Sequence, residues 1–255
     1  LKGEFMALDF NQRSFTKTVD QAAIDEGLRA YMLKVYNYMT TALALTGGIA
    51  FLFGNLAMET NSDGSLKELT DVGKALFASP LSFIIMFAPL IMIFFGFRNI
   101  ATMSLSKAQS IFWVFSVLMG LSMASIFIVY TDASIARVFF ISAATFGATS
   151  IYGYTTKRDL TGLGSFLFMG LIGLIIAMIV NWFMQSAQLY YLISAAGVLI
   201  FVGLTAYDTQ KIKNIYNSFD SSEQSGKKAI MGALTLYLDF INLFIMLLRL
   251  FGQRR

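Results

Sequence analysis

Hydrophobic residues fall along this chain in seven long blocks separated by polar stretches. The blocks run over about 33–57, 80–97, 109–130, 134–154, 164–184, 188–208 and 229–251. Each approaches or exceeds the roughly 20 mostly apolar residues that cross a bilayer core as a helix. Tyr36, Tyr38, Trp113, Tyr130, Tyr152, Trp182, Tyr190 and Tyr191 stand near block ends, where an interfacial belt would place them. The connections are short except 58–79 and 209–228. The pattern therefore predicts an all-α integral membrane protein of seven transmembrane helices, forming a single domain over 29–255. Residues 1–5, before Met6, read as a vector-derived scar. Residues 6–28 are polar and mixed in charge, without a basic-then-apolar leader, and are expected to form a cytoplasmic N-terminal tail.

Composition agrees with the pattern. The chain is 56% hydrophobic and 13% charged with a mean hydropathy of +0.66, whereas a soluble domain carries about a quarter charged residues. The absence of cysteine excludes disulfides and cysteine-held metals. The absence of histidine means that any pH response near neutrality must use a carboxylate. A net charge of +4, scattered between apolar blocks, is no nucleic-acid signature; the expected partner is the lipid bilayer.

Basic residues orient the bundle. With the N-terminus inside, thirteen of the nineteen Lys and Arg fall on the inner side, and Lys67, Lys74, Arg137, Arg249, Arg254 and Arg255 on the outer. That bias predicts N-in and C-out. Arg249, Arg254 and Arg255 at the far end of the last block oppose it, so a re-entrant last segment with an inside C-terminus is the second reading. Glu59, Asp63, Glu68 and Asp71 in the 58–79 connection form a solvated polar loop, or else a cation-concentrating outer mouth. The NSDGS stretch there lacks the acid spacing of an EF-hand.

The last block carries an aspartate near its middle, and a carboxylate at bilayer depth costs several kcal/mol. Steps of three and four through this block give Gly232, Thr235, Asp239, Asn242, Met246 and Arg249, with apolar residues nearly everywhere else. Asp239 thus belongs to a polar stripe, supported by Thr235 and Asn242, that must face protein or water. A partner is expected on the sixth block, which runs the opposite way and ends AYDTQKIK with Asp208. The second block ends FFGFRNI and places Arg98 on the same side. Two carboxylates in reach of one another cannot both ionise cheaply, so the pair titrates as a unit. Protonated, it clamps the two helices. Deprotonated, it repels itself, frees one acid for Arg98, and offers oxygens to a hard cation such as Ca²⁺. The bland reading makes Asp239 structural glue and Arg98 an inner-side anchor. Gly47, Gly48, Ala143, Gly147, Gly170 and Gly173 read as helix-packing positions.

AYDTQKIK at 206–213, LYLDFINLFIMLLRLFG at 236–252 and RAYMLKVYNYMTTALALTGG at 29–48 closely resemble segments of the Bax-inhibitor-type family, and of its bacterial members in particular. The resemblance implies a last helix that is central and surrounded by the other six. It implies a pH-sensitive calcium leak channel gated by an aspartate pair on the sixth and seventh helices, here Asp208 and Asp239, with Arg98 as the arginine that pairs with an aspartate in the closed state. It implies no tightly bound cofactor, Ca²⁺ as the transported or transiently bound ion, H⁺ as the second, and a bacterial inner membrane. A membrane-bound ATP-dependent protease is the protein partner it suggests. A calcium–proton exchanger needs the same pair, and a non-transporting interaction protein would act through the 6–28 tail. Intramembrane aspartyl proteolysis requires Gly-x-Gly-Asp at the second acid, whereas Leu236, Tyr237 and Leu238 precede Asp239, so no enzyme is expected.

Overall fold

The computed structural model describes the backbone of residues 2–61 and 66–255, and the side chains of 24–61 and 66–255. Residue 1, the side chains of the expected tail through residue 23, and Asp63 with most of NSDGS lie outside the described residues. The helices are α1 (Lys2–Leu56), α2 (Asp71–Phe77), α3 (Leu81–Ile91), α4 (Leu105–Met123), α5 (Ser125–Val129), α6 (Asp132–Thr155), α7 (Thr161–Met184), α8 (Ala187–Asn214) and α9 (Ser222–Phe251). The chain is an all-α membrane protein. Among the described residues six helices are long and apolar enough to cross a bilayer, or seven if a bent pair counts as one span.

That bent pair corresponds to the second predicted span. α2 and the segment Leu81–Gly96 meet at 55°. Pro89 lies inside α3, where it can donate no backbone hydrogen bond, and the helix widens just beyond it into a π-helical turn at Met92–Gly96. The Phe97 amide accordingly reaches back to the Met92 carbonyl at 3.3 Å. The 58–79 connection is more ordered than a solvated loop. β1 (Met58–Thr60) pairs antiparallel with β2 (Leu66–Leu69), and Thr70 caps α2 by accepting from the Gly73 amide at 3.1 Å.

α9 is the most enclosed helix. In its most apolar stretch 72% of residues are buried, against 17–39% in the other candidate spans. α1, α4, α6 and α8 flank it, while α7 leans chiefly on α8 and α3 on α4. Its start is fixed by a capping box, in which the Ser221 hydroxyl accepts from the Gln224 amide and the Gln224 side chain accepts from the Ser221 amide. Small residues let its neighbours approach. Gly197 of α8 sits against Met246, where an added Cβ would meet the sulfur at 2.8 Å. Gly153 of α6 lies so close to the Ala206 carbonyl of α8 that any Cβ would collide with it.

α9 runs the length of the bundle. At its start, the Lys227 ammonium donates to the Ala101 and Met103 carbonyls at 2.9 and 3.2 Å. Past its end, the Thr131 amide donates to the Gln253 carbonyl at 3.0 Å, and the Arg255 amide donates to the Val129 carbonyl at 3.0 Å. The Arg255 guanidinium binds Asp132 at 2.5 Å. Arg249 and Arg254 lie over the Tyr190 ring at 5.5 and 5.8 Å. The three arginines that oppose the charge bias are thus each engaged by the bundle.

The glycine reading needs correction. Of these glycines only Gly170 packs on a neighbouring helix, against Ile200, while Ala143 packs on the buried core as expected. A Cβ at Gly47, Gly48, Gly147 or Gly173 would meet nothing within 4 Å.

Candidate functional site

The polar stripe of α9 faces α8. Gly232 sits against Ile212, Met246 against Gly197 and Arg249 over Tyr190. This antiparallel register puts Leu204 opposite Asp239 and leaves Asp208 one turn nearer the start of α9, roughly 6 Å along the axis at 1.5 Å per residue. The side chains close that gap, and the two carboxyls stand at hydrogen-bonding range of each other. Asp239 is 6% exposed. Its Oδ2 is fully buried and has no hydrogen-bond partner among the described residues. Asp208 is half-buried, with the Lys211 charge nearby on the same helix and the Lys211 ammonium over the Tyr207 ring at 5.7 Å.

The other sequence candidates are placed differently. Thr235 and Asn242 lie on the stripe but donate to carbonyls of their own helix, Met231 at 3.1 Å and Leu238 at 2.8 Å. Arg98 is exposed in the turn after the π-helical segment and makes no ion pair among the described residues. The structure therefore brings Asp208 and Asp239 together and leaves Arg98 apart. No group of three or more acids gathers among the described residues. Two carboxylates fall well short of the roughly six to eight oxygens that Ca²⁺ prefers, so the pair could hold that ion only with water or backbone oxygens completing the shell.

Two hydroxyl chains end within two residues of the pair in sequence, and sequence reasoning missed both. On one side the Tyr36 hydroxyl meets Ser150 Oγ at 2.6 Å, and Ser150 Oγ meets Thr209 Oγ1 at 2.9 Å, next to Asp208 in sequence. On the other, Thr46 Oγ1 donates to the Ser116 carbonyl at 2.9 Å and meets the Tyr237 hydroxyl at 2.7 Å, two residues before Asp239. Tyr36 departs from the expected interfacial belt, since its hydroxyl points into the bundle toward Ser150. Trp182 at 76% exposure and Tyr191 at 55% do face outward. α6 also buries Ser134 and Ser142 besides Ser150, but eight-residue steps drift around a helix by about 80° each, so the serines announce no single polar face.

Over residues 28–255 the chain matches the family model described as inhibitor of apoptosis-promoting Bax1. The chain belongs to this Bax-inhibitor family. Its relatives include RP147 of Rickettsia prowazekii, 46% identical over 95% of this chain and 98% of that protein. The inner membrane protein YbhL of Escherichia coli K12 is also 46% identical, over 90% of this chain and 94% of its own length. A membrane protein of Streptococcus pyogenes serotype M1 is 34% identical over 90% and 95% respectively. The family membership agrees with the fold, and it extends the likeness beyond the three sequence segments to nearly the whole of the described bundle.

Proposed function

We propose that this protein is a pH-sensitive calcium leak of a bacterial inner membrane, with its N-terminus inside, gated by Asp208 and Asp239. The observation that carries the reading is the facing carboxyl pair between α8 and α9, with a buried Asp239 oxygen that lacks a protein partner. Like charges about 4 Å apart repel by about 4 kcal/mol at an effective dielectric of about 20. One shared proton removes that repulsion and joins the helices; losing it drives them apart and exposes oxygens to a cation. Arg98 enters only if the end of α3 swings inward, and Pro89 with the π-helical turn supplies the place to bend. Fully buried Leu236 and Tyr237 beside Asp239 leave a substrate strand no approach, which supports a non-enzymatic role.

A calcium–proton exchanger uses the same pair and differs in moving H⁺ against Ca²⁺. A pure interaction protein, engaging a membrane-bound protease through residues 6–28, would need neither acid. The deciding experiment reconstitutes the protein in liposomes with a trapped calcium dye at about pH 6 and about pH 8, where a coupled carboxyl pair can change charge. Wild type is expected to leak in a pH-dependent way, Asp208→Asn and Asp239→Asn to flatten that dependence, and removal of residues 6–28 to leave it intact. Flux equal to empty liposomes in every variant would overturn the leak, and proton movement locked to calcium movement would favour the exchanger.

A further inference from the structure

α1 and α6 both pack on α9 and are joined by the Tyr36–Ser150 hydrogen bond, but elsewhere leave a lateral gap between themselves, floored by Phe240. Two cavities of about 630 and 380 Å³ occupy this gap and share Leu43, Phe139 and Phe240, so they form one slot along the bundle. The walls are built from small residues. Ala44, Ala143 and Gly147 line the larger cavity and Gly47 the smaller, and a Cβ at either glycine would meet nothing within 4 Å. Small residues between transmembrane helices normally let those helices touch. Here they hold open a space that no part of the described chain fills.

The end of the slot at α1's entry to the bundle is cationic. Arg29 lines it, exposed and without an ion pair among the described residues. The Lys213 ammonium reaches the same mouth, donating to the carbonyl of the lining residue Tyr154 at 2.8 Å. From Arg29 to Ala44 the larger cavity follows α1 for about 22 Å at 1.5 Å per residue, more than half of a hydrocarbon core about 30 Å thick. It is deep enough for the chains of one leaflet, about 15 Å, and its charged mouth stands where that leaflet's phosphates would lie. We infer that the α1–α6 slot binds a single anionic phospholipid, with an acyl chain over Phe240 and its phosphate held by Arg29. Unpaired positive charge stands at one end only, because Asp132 at the far end is neutralised by Arg255, and this favours a lipid over a second transmembrane helix, which would have to match the slot along its whole length.

Native mass spectrometry of the detergent-purified protein, titrated with phosphatidylglycerol or with phosphatidylethanolamine, tests this. Wild type is expected to keep one phosphatidylglycerol in preference to the zwitterionic lipid. Arg29→Ala should weaken that adduct roughly tenfold, the size of one lost charge-assisted contact. Gly147→Phe should abolish it by filling the slot, while Gly173→Phe, on an uncovered face of α7 outside the slot, should keep it. An adduct that survives Gly147→Phe unchanged, or that ignores lipid charge and Arg29, would overturn the proposal. So would a lipid-free wild-type dimer that Gly147→Phe dissociates, since the slot would then be a docking face between copies.

Discussion

Thr46 has a single hydroxyl hydrogen and gives it to the Ser116 carbonyl, so the Tyr237 hydroxyl must be the donor in their 2.7 Å contact. The two partners are therefore not equivalent. Tyr237→Phe removes a donor and leaves Thr46 bonded, at a cost of about 1 kcal/mol. Thr46→Val strands a fully buried phenol, while the Ser116 carbonyl keeps the amide of its own helix, and is expected to cost about 1–3 kcal/mol. Thermal unfolding in detergent should rank Thr46→Val clearly below Tyr237→Phe, with the double variant close to Thr46→Val or better; the reverse order would mean that Tyr237 finds another acceptor. The same chemistry explains what could be read from sequence at this scale. Asp239 was legible because a carboxylate among apolar residues has no cheap local escape. Thr46 was not, because a serine or threonine hydroxyl on an apolar helix can satisfy itself on the carbonyl one turn back, as Ser142 and Thr205 do at 2.8 and 2.7 Å. Tyr36 was not, because a tyrosine near a span end suits an interfacial belt equally well. From the sequence, a self-satisfied hydroxyl and one that reaches across to another helix look alike.

Between helices, glycine has two opposite meanings in this bundle. At Gly153 the α6 backbone is pressed onto the Ala206 carbonyl of α8, so Gly153→Ala must push two spans apart and is expected to cost about 1–3 kcal/mol or more. At Gly147, two turns away on α6, an added methyl enters open space, and Gly147→Ala should leave stability unchanged or raise it by up to about 1 kcal/mol. A shared melting shift for the two variants would mean that α6 meets α1 more closely than the slot implies. Hydrophobic periodicity located all of the long helices, since crossing a bilayer demands an apolar run whatever the helix packs against. It could not separate a glycine that admits a neighbouring helix from one that keeps a slot open, because both stand on the same small-residue face. Nor did it show the 55° bend or the hairpin before α2. Pro80, which caps α3 in the break after α2, marks the one, and the short Met58–Thr60 and Leu66–Leu69 strands are too brief for alternation to reveal the other.

For the molecule as a whole, packing fixes which ends share a side and charge decides only which side is inside. The end of α1 meets α5 through Phe51 and Phe127, whose rings are 5.7 Å apart; residues 253–255 are bonded to the 127–134 segment; and Tyr190 at the start of α8 stands beneath Arg254. At the other end Gln210 clasps the α6–α7 turn through the Leu160 amide and the Arg158 carbonyl, and the Lys228 ammonium pairs with Asp220 at 2.6 Å. A re-entrant α9 would not satisfy both sets, so with the proposed N-in orientation the 253–255 segment is expected on the outside. The chain has no cysteine, which makes this directly measurable. Single substitutions Lys67→Cys, Asn217→Cys and Gln253→Cys, all at exposed positions, can be probed in intact cells with a membrane-impermeant thiol reagent. Lys67→Cys and Gln253→Cys are expected to label at once, and Asn217→Cys only after permeabilisation. The opposite sidedness for all three would invert the orientation but keep the bundle. Gln253→Cys behaving like Asn217→Cys would instead require α9 to turn back before its end, and that would break the strap between residues 253–255 and α6 on which its full crossing depends.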